Sequence, residues 1–421
     1  MIRAMIVLLA VVSTAAPAAT LKEVLAASEQ HNVDRQISAQ QRLRAAAEFR
    51  QAWSMMLPSL TAQGTWTHNQ RVVEFTLAPG TDPIVITPQN QLDGILRVEL
   101  PLIDTGRWFR AAASGALLDA AGYRDAATGE LITRQVATTY YGFAAALAVR
   151  SSAKRSLSVS EAQHKLQEIR MRAGAATELE VLRAKAEAER ARQMVADSEA
   201  LVANTRRSLF TLSGVDVGDS ASLPPDNLVL EESVEDLQEG SLKLPVVKAA
   251  EKDAAAASIL ATAARFALVP SVTANFTERL TNATAFAGEA DTWTAGVGLV
   301  WRLDAATFFG WDAQDAQGQI ARLAAQRQKN ASRDQVYGDW QRLSAAIKKV
   351  TAAKAQVEAA ERAAQVARDR YDAGAATQLE VIQSERDLFS AEVNHIQSRT
   401  ELASTHVGLR LSAGLPLKLE E

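Results

Sequence analysis

The sequence Arg-Ala-Gly-Ala-Ala-Thr-Glu-Leu-Glu-Val-Leu fills residues 172–182, and a near copy, Asp-Ala-Gly-Ala-Ala-Thr-Gln-Leu-Glu-Val-Ile, fills residues 372–382. The offset of 200 residues aligns Gly174 with Gly374 and Thr177 with Thr377. Glycine favours the left-handed backbone that closes a helix, and threonine three residues before glutamate forms a capping box that opens one. Each copy therefore predicts a tight joint between two helices, and the offset predicts a duplicated structural unit.

The composition is typical of long helices rather than compact globules. The chain has 421 residues, only 5% of them aromatic, and long stretches consist of Ala, Glu, Arg, Gln and Leu. It has no cysteine, which excludes disulfides and thiolate metal sites. The net charge of −4, with both signs interspersed, gives no argument for nucleic acid.

Residues 1–18 are predicted to be a signal peptide. Arg3 gives a positive start, an apolar run follows, and Ala16-Pro17-Ala18 is a cleavage site. A short buried helix is the alternative, and without a cysteine after the site no lipid anchor is expected. No later stretch reaches the ~18 apolar residues of a membrane helix. Export would then lead to the periplasm, the medium or an outer-membrane β-barrel.

The pattern divides the rest of the chain into two repeats. The first, 19–216, contains a helix to about residue 56, a β-hairpin at about 59–103 and a long helical hairpin at about 106–213. A linker or equatorial segment, 217–242, follows. The second repeat, 243–421, contains a helix, a β-hairpin at about 271–303 and a long helical hairpin at about 306–412. The first β-hairpin has twelve extra residues, which we place in its loop.

Both β-hairpins have strands with one apolar and one polar face, which is typical of membrane strands. The polar faces are predicted to line a lumen (Thr61, Gln63, Arg97, Glu99, Thr273, Asn275) and the apolar faces to meet lipid (Trp66, Phe276, Trp293, Trp301). Four strands cannot close a barrel, and an open edge in lipid would leave unpaired amides. Three copies would close twelve strands together with their helices.

The order of these segments resembles the TolC family of outer-membrane efflux proteins. The phrase Tyr371-Asp-Ala-Gly-Ala-Ala-Thr-x-Leu-Glu-Val is most similar to the heavy-metal and multidrug branches that work with RND pumps. The resemblance implies a mostly α trimer, with a periplasmic α-barrel and a twelve-strand β-barrel to which each chain gives four transmembrane strands. It also implies a periplasmic adaptor and an inner-membrane pump as partners.

In that family, residues at the helical joints contact the adaptor and close the aperture. The resemblance assigns docking to two triplets of small residues, Ala173-Gly174-Ala175 and Ala373-Gly374-Ala375. It gives Tyr371, Glu380 and Gln383 as candidate aperture residues, with Glu180 as the counterpart in the first repeat. Ala376 stands where some members have an arginine lock, so that lock is absent or moved to Arg368 or Arg370.

Glu380 has two interpretations at this point. Its carboxylate caps the helix that Thr377 begins, or three copies of it form a ring that selects cations and responds to pH. Three carboxylates about 4 Å apart would repel by about 4 kcal/mol for each pair at an effective dielectric of 20. Both interpretations hold together if capping uses only one oxygen.

No catalytic motif, metal-ligand spacing or cofactor site is found in the sequence, so an enzyme with a coiled-coil arm is disfavoured. The main alternative to a channel is the periplasmic adaptor itself, which also has a long helical hairpin. Two hairpins, each preceded by membrane-length strands, favour the channel. The cargo, whether drug, metal cation or polypeptide, is not encoded in any motif.

Overall fold

The computed structural model describes residues 19–219, 221–229 and 233–417. The predicted signal peptide, four residues of the predicted linker and the last four residues of the chain lie outside these ranges. The described chain forms two compact units. One contains Gln40–Arg124 and Pro245–Gln328, and the other contains the segment up to Ala39, Asp125–Leu244 and the segment from Lys329 onward.

The first helical segment is two helices, not one. Helix α1 spans Leu21–His31 and α2 spans Val33–Ser54. The break is Asn32, whose backbone leaves the helical region at φ −67° and ψ 126°. Its side-chain Oδ1 accepts from the amides of Asp34 and Arg35, at 2.9 and 3.2 Å, and so caps α2. The sequence pattern predicted one continuous helix to about residue 56. That prediction did not account for the asparagine side chain, whose hydrogen bonds to the backbone compete with those of the helix.

Four strands form one antiparallel sheet in the order β1-β4-β5-β6. They are β1 (Ser59–His68), β4 (Asn90–Ile103), β5 (Ser271–Thr281) and β6 (Asp291–Val300). The pairing of β4 with β5 joins the two repeats, and it leaves β1 and β6 as edges. Two short strands, β2 (Val73–Phe75) and β3 (Ile84–Thr87), pair with each other inside the β1–β4 loop. They occupy the longer loop, where the twelve extra residues were predicted.

The register gives the sheet one polar and one apolar face. On the polar face Thr61, Arg97 and Thr277 lie side by side across three strands. On the apolar face, one row across the four strands consists of Leu60, Val98, Phe276 and Ala295. Glu278 is an exception, because it lies on the apolar face between Leu96 and Trp293.

Long helices follow each strand pair. Helix α3 spans Thr105–Arg172 and α4 spans Glu178–Ser213, and in the second repeat α7 spans Ala305–Asp372 and α8 spans Gln378–Ser412. Helix α6 spans Pro245–Arg265. The segment 217–242, predicted as a linker or equatorial segment, contains a short helix, α5 (Val234–Ser241), which Ser233 caps.

The unit that contains the joints has two apolar clusters. One centres on Phe143 and Val136 of α3, with Leu209 of α4 and Val24 of α1. The other joins α5, α7 and α8 through residues such as Leu237, Val336, Leu343 and Leu402. The buried side chains are mostly Ala, Val and Leu, which allow helices to approach closely and fix the positions of the joints.

Candidate functional site

Each helical joint is closed by a left-handed glycine. Gly174 has φ +76° and Gly374 has φ +72°. The amide of Ala175 donates to the carbonyl of Arg170 at 2.8 Å, and that of Ala375 donates to the carbonyl of Arg370 at 2.7 Å. These bonds satisfy helix-terminal carbonyls, as in a Schellman motif. A β-carbon at either glycine would meet no atom within 4 Å, so the turns are open to solvent.

Each following helix begins with a complete capping box. Thr177 Oγ1 accepts from the amide of Glu180, and the Glu180 carboxylate accepts from the Thr177 amide at 2.6 Å. In the second joint the Thr377 amide donates to Glu380 Oε1 at 3.3 Å, and the Thr377 hydroxyl donates to the same oxygen at 3.1 Å. Glu380 Oε2 has no hydrogen-bond partner within the described ranges. Capping therefore uses one carboxylate oxygen.

Hydrogen bonding from Thr177 lowers the pKa of Glu180. The largest cause is the Thr177 backbone amide, followed by the Thr177 hydroxyl, while Arg170 and Arg183 contribute through their charge. Desolvation acts in the opposite direction. The carboxylate is therefore held in its charged form at the positive end of α4.

Tyr371 connects the ends of α3 and α7. Its hydroxyl accepts from Gln167 Nε2 at 2.8 Å, and the guanidinium of Arg170 lies over its ring, 4.8 Å from the centroid. Arg170 also reaches Asp372 at 3.5 Å. Gln167 is fully buried, and its Oε1 has no partner among the described residues.

Gln167 and Arg170 contact Tyr371 at the joints, and the sequence prediction did not identify either of them. The 200-residue offset could have identified Arg170, because it aligns this residue with Arg370. Arg370 itself donates to the Ala375 carbonyl of its own joint at 3.1 Å, and Arg368 pairs with Glu385 at 2.8 Å. No periodicity in the sequence identifies Gln167, since a single buried glutamine in a helix gives no distinct pattern.

The two joints are also tied together at the starts of α4 and α8. Gln378 Nε2 donates to the Glu180 carbonyl at 2.9 Å, and Arg386 Nε donates to Glu187 at 2.8 Å. Among the described residues, Gln383 donates only to Asp387 of its own helix, at 3.2 Å. The structure thus ties Tyr371 to the end of α3 and ties the start of α8 to the start of α4 through separate contacts, and Gln383 takes part in neither of them.

Exposed leucines flank the joints, although no sequence signal marked them. Leu179 is 56% exposed and Leu379 is 55% exposed, each in the first turn after its cap. Among the described residues there is no group of three or more His, Asp or Glu arranged to hold a metal ion. Within the same ranges, no helix is both long and apolar enough to cross a membrane.

The described architecture combines an amphipathic four-stranded sheet with two long helical hairpins. The chain belongs to the outer membrane efflux protein family, whose sequence profile matches residues 24–215 and 241–415. The match covers both repeats, which confirms the resemblance inferred from the order of the segments. The protein is therefore an outer-membrane efflux channel, and the adaptor alternative has no support.

Similarity to individual proteins supports this assignment. Protein CyaE of Bordetella pertussis is 27% identical over 330 residues, which are 74% of this chain and 68% of that protein. The structure of CusC matches with a TM-score of 0.80 at 18% identity, covering 94% of this chain and 92% of CusC. The structure of the outer-membrane channel OprN matches with a TM-score of 0.79 at 21% identity, covering 94% of this chain and 90% of OprN. The structure of the outer membrane protein VceC of Vibrio cholerae matches with a TM-score of 0.76 at 19% identity, covering 94% of this chain and 96% of VceC. The predicted fold class is confirmed.

Proposed function

We propose that three copies of this chain form a passive exit duct of a tripartite efflux or secretion system. The observation that carries the proposal is the sheet, whose two outer strands, β1 and β6, each keep one unpaired edge. An unpaired backbone group in lipid costs several kcal/mol, so each edge requires a strand from another copy. Three copies supply twelve strands, which enclose a water-filled lumen.

The two faces of the sheet support the same arrangement. The polar face would line the lumen. It carries Arg97, which has a threonine on each side, and the ion pair of Arg279 with Asp93 at 2.6 Å. The apolar face would meet lipid. Trp301 lies just beyond β6, and its Nε1 donates to the Leu268 carbonyl at 2.9 Å, as suits a side chain at a membrane interface.

The helical joints are the proposed docking surface for a periplasmic adaptor. The triplets Ala173-Gly174-Ala175 and Ala373-Gly374-Ala375 present small side chains and open space, which suits knobs-into-holes packing with a partner hairpin. The exposed Leu179 and Leu379 add apolar contact area. An inner-membrane pump such as an RND transporter would supply the energy, so the duct itself needs no catalytic residue.

The aperture is proposed to lie at the same joints. Tyr371, held by Gln167 and Arg170, restrains α7 against α3. Glu380, with one carboxylate oxygen free of the cap, can face an axis shared by three copies. Gln383 donates to Asp387 of its own helix and is the weakest candidate.

The test is fractionation followed by electrophoresis with and without heating. We expect the protein in the outer-membrane fraction, migrating as an SDS-resistant trimer that becomes a monomer on boiling. A boiled aliquot of the same sample is the control for migration. Recovery of monomer in the soluble periplasmic fraction would contradict the duct.

A further inference from the structure

The two loops at the end of the sheet opposite the helices form one ordered body. Asn282, which begins the β5–β6 loop, is anchored to the start of β4, because its Oδ1 accepts from the Leu92 amide and its Nδ2 donates to the Asn90 carbonyl, both at 2.7 Å. The ring of Phe75, in β2, meets the ring of Phe286 edge to face, with centroids 5.6 Å apart. Phe286 lies in a single 3-10 turn, Ala285–Ala287.

This body exposes an apolar surface, the loop patch, formed by Val73, Phe75, Leu77, Val85 and Phe286. Leu77 is 69% exposed and Phe286 is 62% exposed. Such a cluster on an exposed surface marks an interaction site. Ala285 has φ +46°, a left-handed conformation that costs a non-glycine residue about 1–2 kcal/mol. The loop therefore holds Phe286 in the patch at a cost in backbone energy.

The patch lies close in sequence to both edge strands of the sheet. Strand β1 ends at His68, and four residues separate it from Val73, where β2 begins. On the other side, four residues separate Phe286 from Asp291, where β6 begins. Wherever β1 of one copy lies beside β6 of another, the β1–β4 loop of the first copy is brought to the β5–β6 loop of the second.

Charge argues against lipid as the cover of the patch. The two loops carry one cation and three anions between the strands (Arg71, Glu74, Asp82, Glu289). Anionic lipid headgroups attract basic segments and are repelled by acidic ones. A neighbouring copy has loops of the same net charge, but unlike a headgroup it also offers an apolar surface of the same kind.

We propose that the loop patch of one copy packs against the loop patch of the next copy, and so closes each seam between copies beyond the last strand pair. The residues brought together are those of the β1–β4 loop, such as Leu77, and Phe286 of the neighbour. This inference rests on the proposed trimer. The occupant is a second copy of this chain.

The test uses the natural absence of cysteine. One tagged copy carries Leu77→Cys and a differently tagged copy carries Phe286→Cys, and both are produced in the same cells. Membranes are treated with a short bismaleimide, and the product is probed for both tags. Asp82→Cys, at the exposed turn between β2 and β3, replaces Leu77→Cys in the matched control.

A cross-linked dimer that carries both tags, lost when Asp82→Cys is used, is the expected result. An intact heat-modifiable trimer without that dimer would overturn this inference alone. Full labelling of Leu77→Cys by a membrane-impermeant maleimide in assembled trimers would do the same, because the patch would then be free. Absence of any trimer would overturn the proposed function together with this inference.

Discussion

Glu380 combines a cap and a charge, and the two contributions are separable by substitution. Glutamine also closes a capping box, so Glu380→Gln keeps the bond to the Thr377 amide and removes only the charge. We expect this variant to be less cation-selective in a planar bilayer, because a ring of three carboxylates attracts cations. The measurement is the reversal potential under a salt gradient.

Thr377→Ala is the matched control for Glu380, since it removes the hydroxyl of the cap and keeps the carboxylate. Its reversal potential should stay close to that of the natural protein, while the start of α8 loses about 1 kcal/mol. If Glu380→Gln leaves the reversal potential unchanged, Glu380 serves the cap alone and is not part of the aperture.

The lowered pKa of Glu180 predicts that the stability of the helix cap at the first joint depends on pH. That pKa is lowered in the folded protein, chiefly by the Thr177 amide. The cap is therefore at full strength above the ordinary glutamate pKa of about 4.3, and its contribution is lost as the pH falls through the lowered pKa. We expect the amide protection at the start of α4 to decrease over that interval, measured by hydrogen exchange corrected for intrinsic rates. Glu180→Gln, which cannot titrate, should remain flat, and a parallel decrease in both would refute the assignment.

At the scale of the elements, α5 packs so closely against the residue after α8 that there is no room for a side chain at Gly240. A β-carbon at Gly240 would lie 2.6 Å from the carbonyl oxygen of Ala413, which follows α8. We expect Gly240→Ala to destabilise the protein by about 1–3 kcal/mol, as other overpacked sites do. A β-carbon at Gly142, inside α3, would meet nothing within 4 Å, so Gly142→Ala should stabilise by about 0.5–1 kcal/mol. Thermal dissociation measures both, and equal shifts would disprove the close contact.

The sequence predicted the elements whose signals are local. Glycine and threonine marked the joints, strict alternation marked β1 and β4, and the offset placed the extra loop residues. It missed the break at Asn32, because an asparagine within a helical pattern caps only when its side chain turns back on the chain. It also missed the contact of Tyr371 with Gln167, because that contact joins residues far apart in sequence, and helix packing alone sets it.

For the whole molecule, the apolar face of the sheet decides how the chain lies in the membrane. Glu278 is an acidic residue on that face, with Leu96 and Trp293 as its cross-strand neighbours. We expect Glu278→Leu to raise the temperature at which the trimer dissociates in SDS, because an acid that faces lipid is unfavourable. The cost of such an acid is smaller than the roughly 2–4 kcal/mol of an Arg or Lys at the bilayer midplane.

Glu99→Leu is the control for Glu278, because Glu99 lies on the opposite, polar face, across from Asn275. It removes an acid of the same type from the same sheet and should bring no gain in dissociation temperature. A stabilisation of similar size from both substitutions would mean that the two faces are not in different surroundings.

The open edges of β1 and β6 also bear on how the protein reaches the membrane. A newly exported copy carries two rows of unpaired amides on a sheet whose one face is apolar. Such edges join any available strand, so the risk of aggregation is greatest during transit through the aqueous compartment. We therefore expect biogenesis of this channel to need an escort that shields β1 and β6 until other copies replace it.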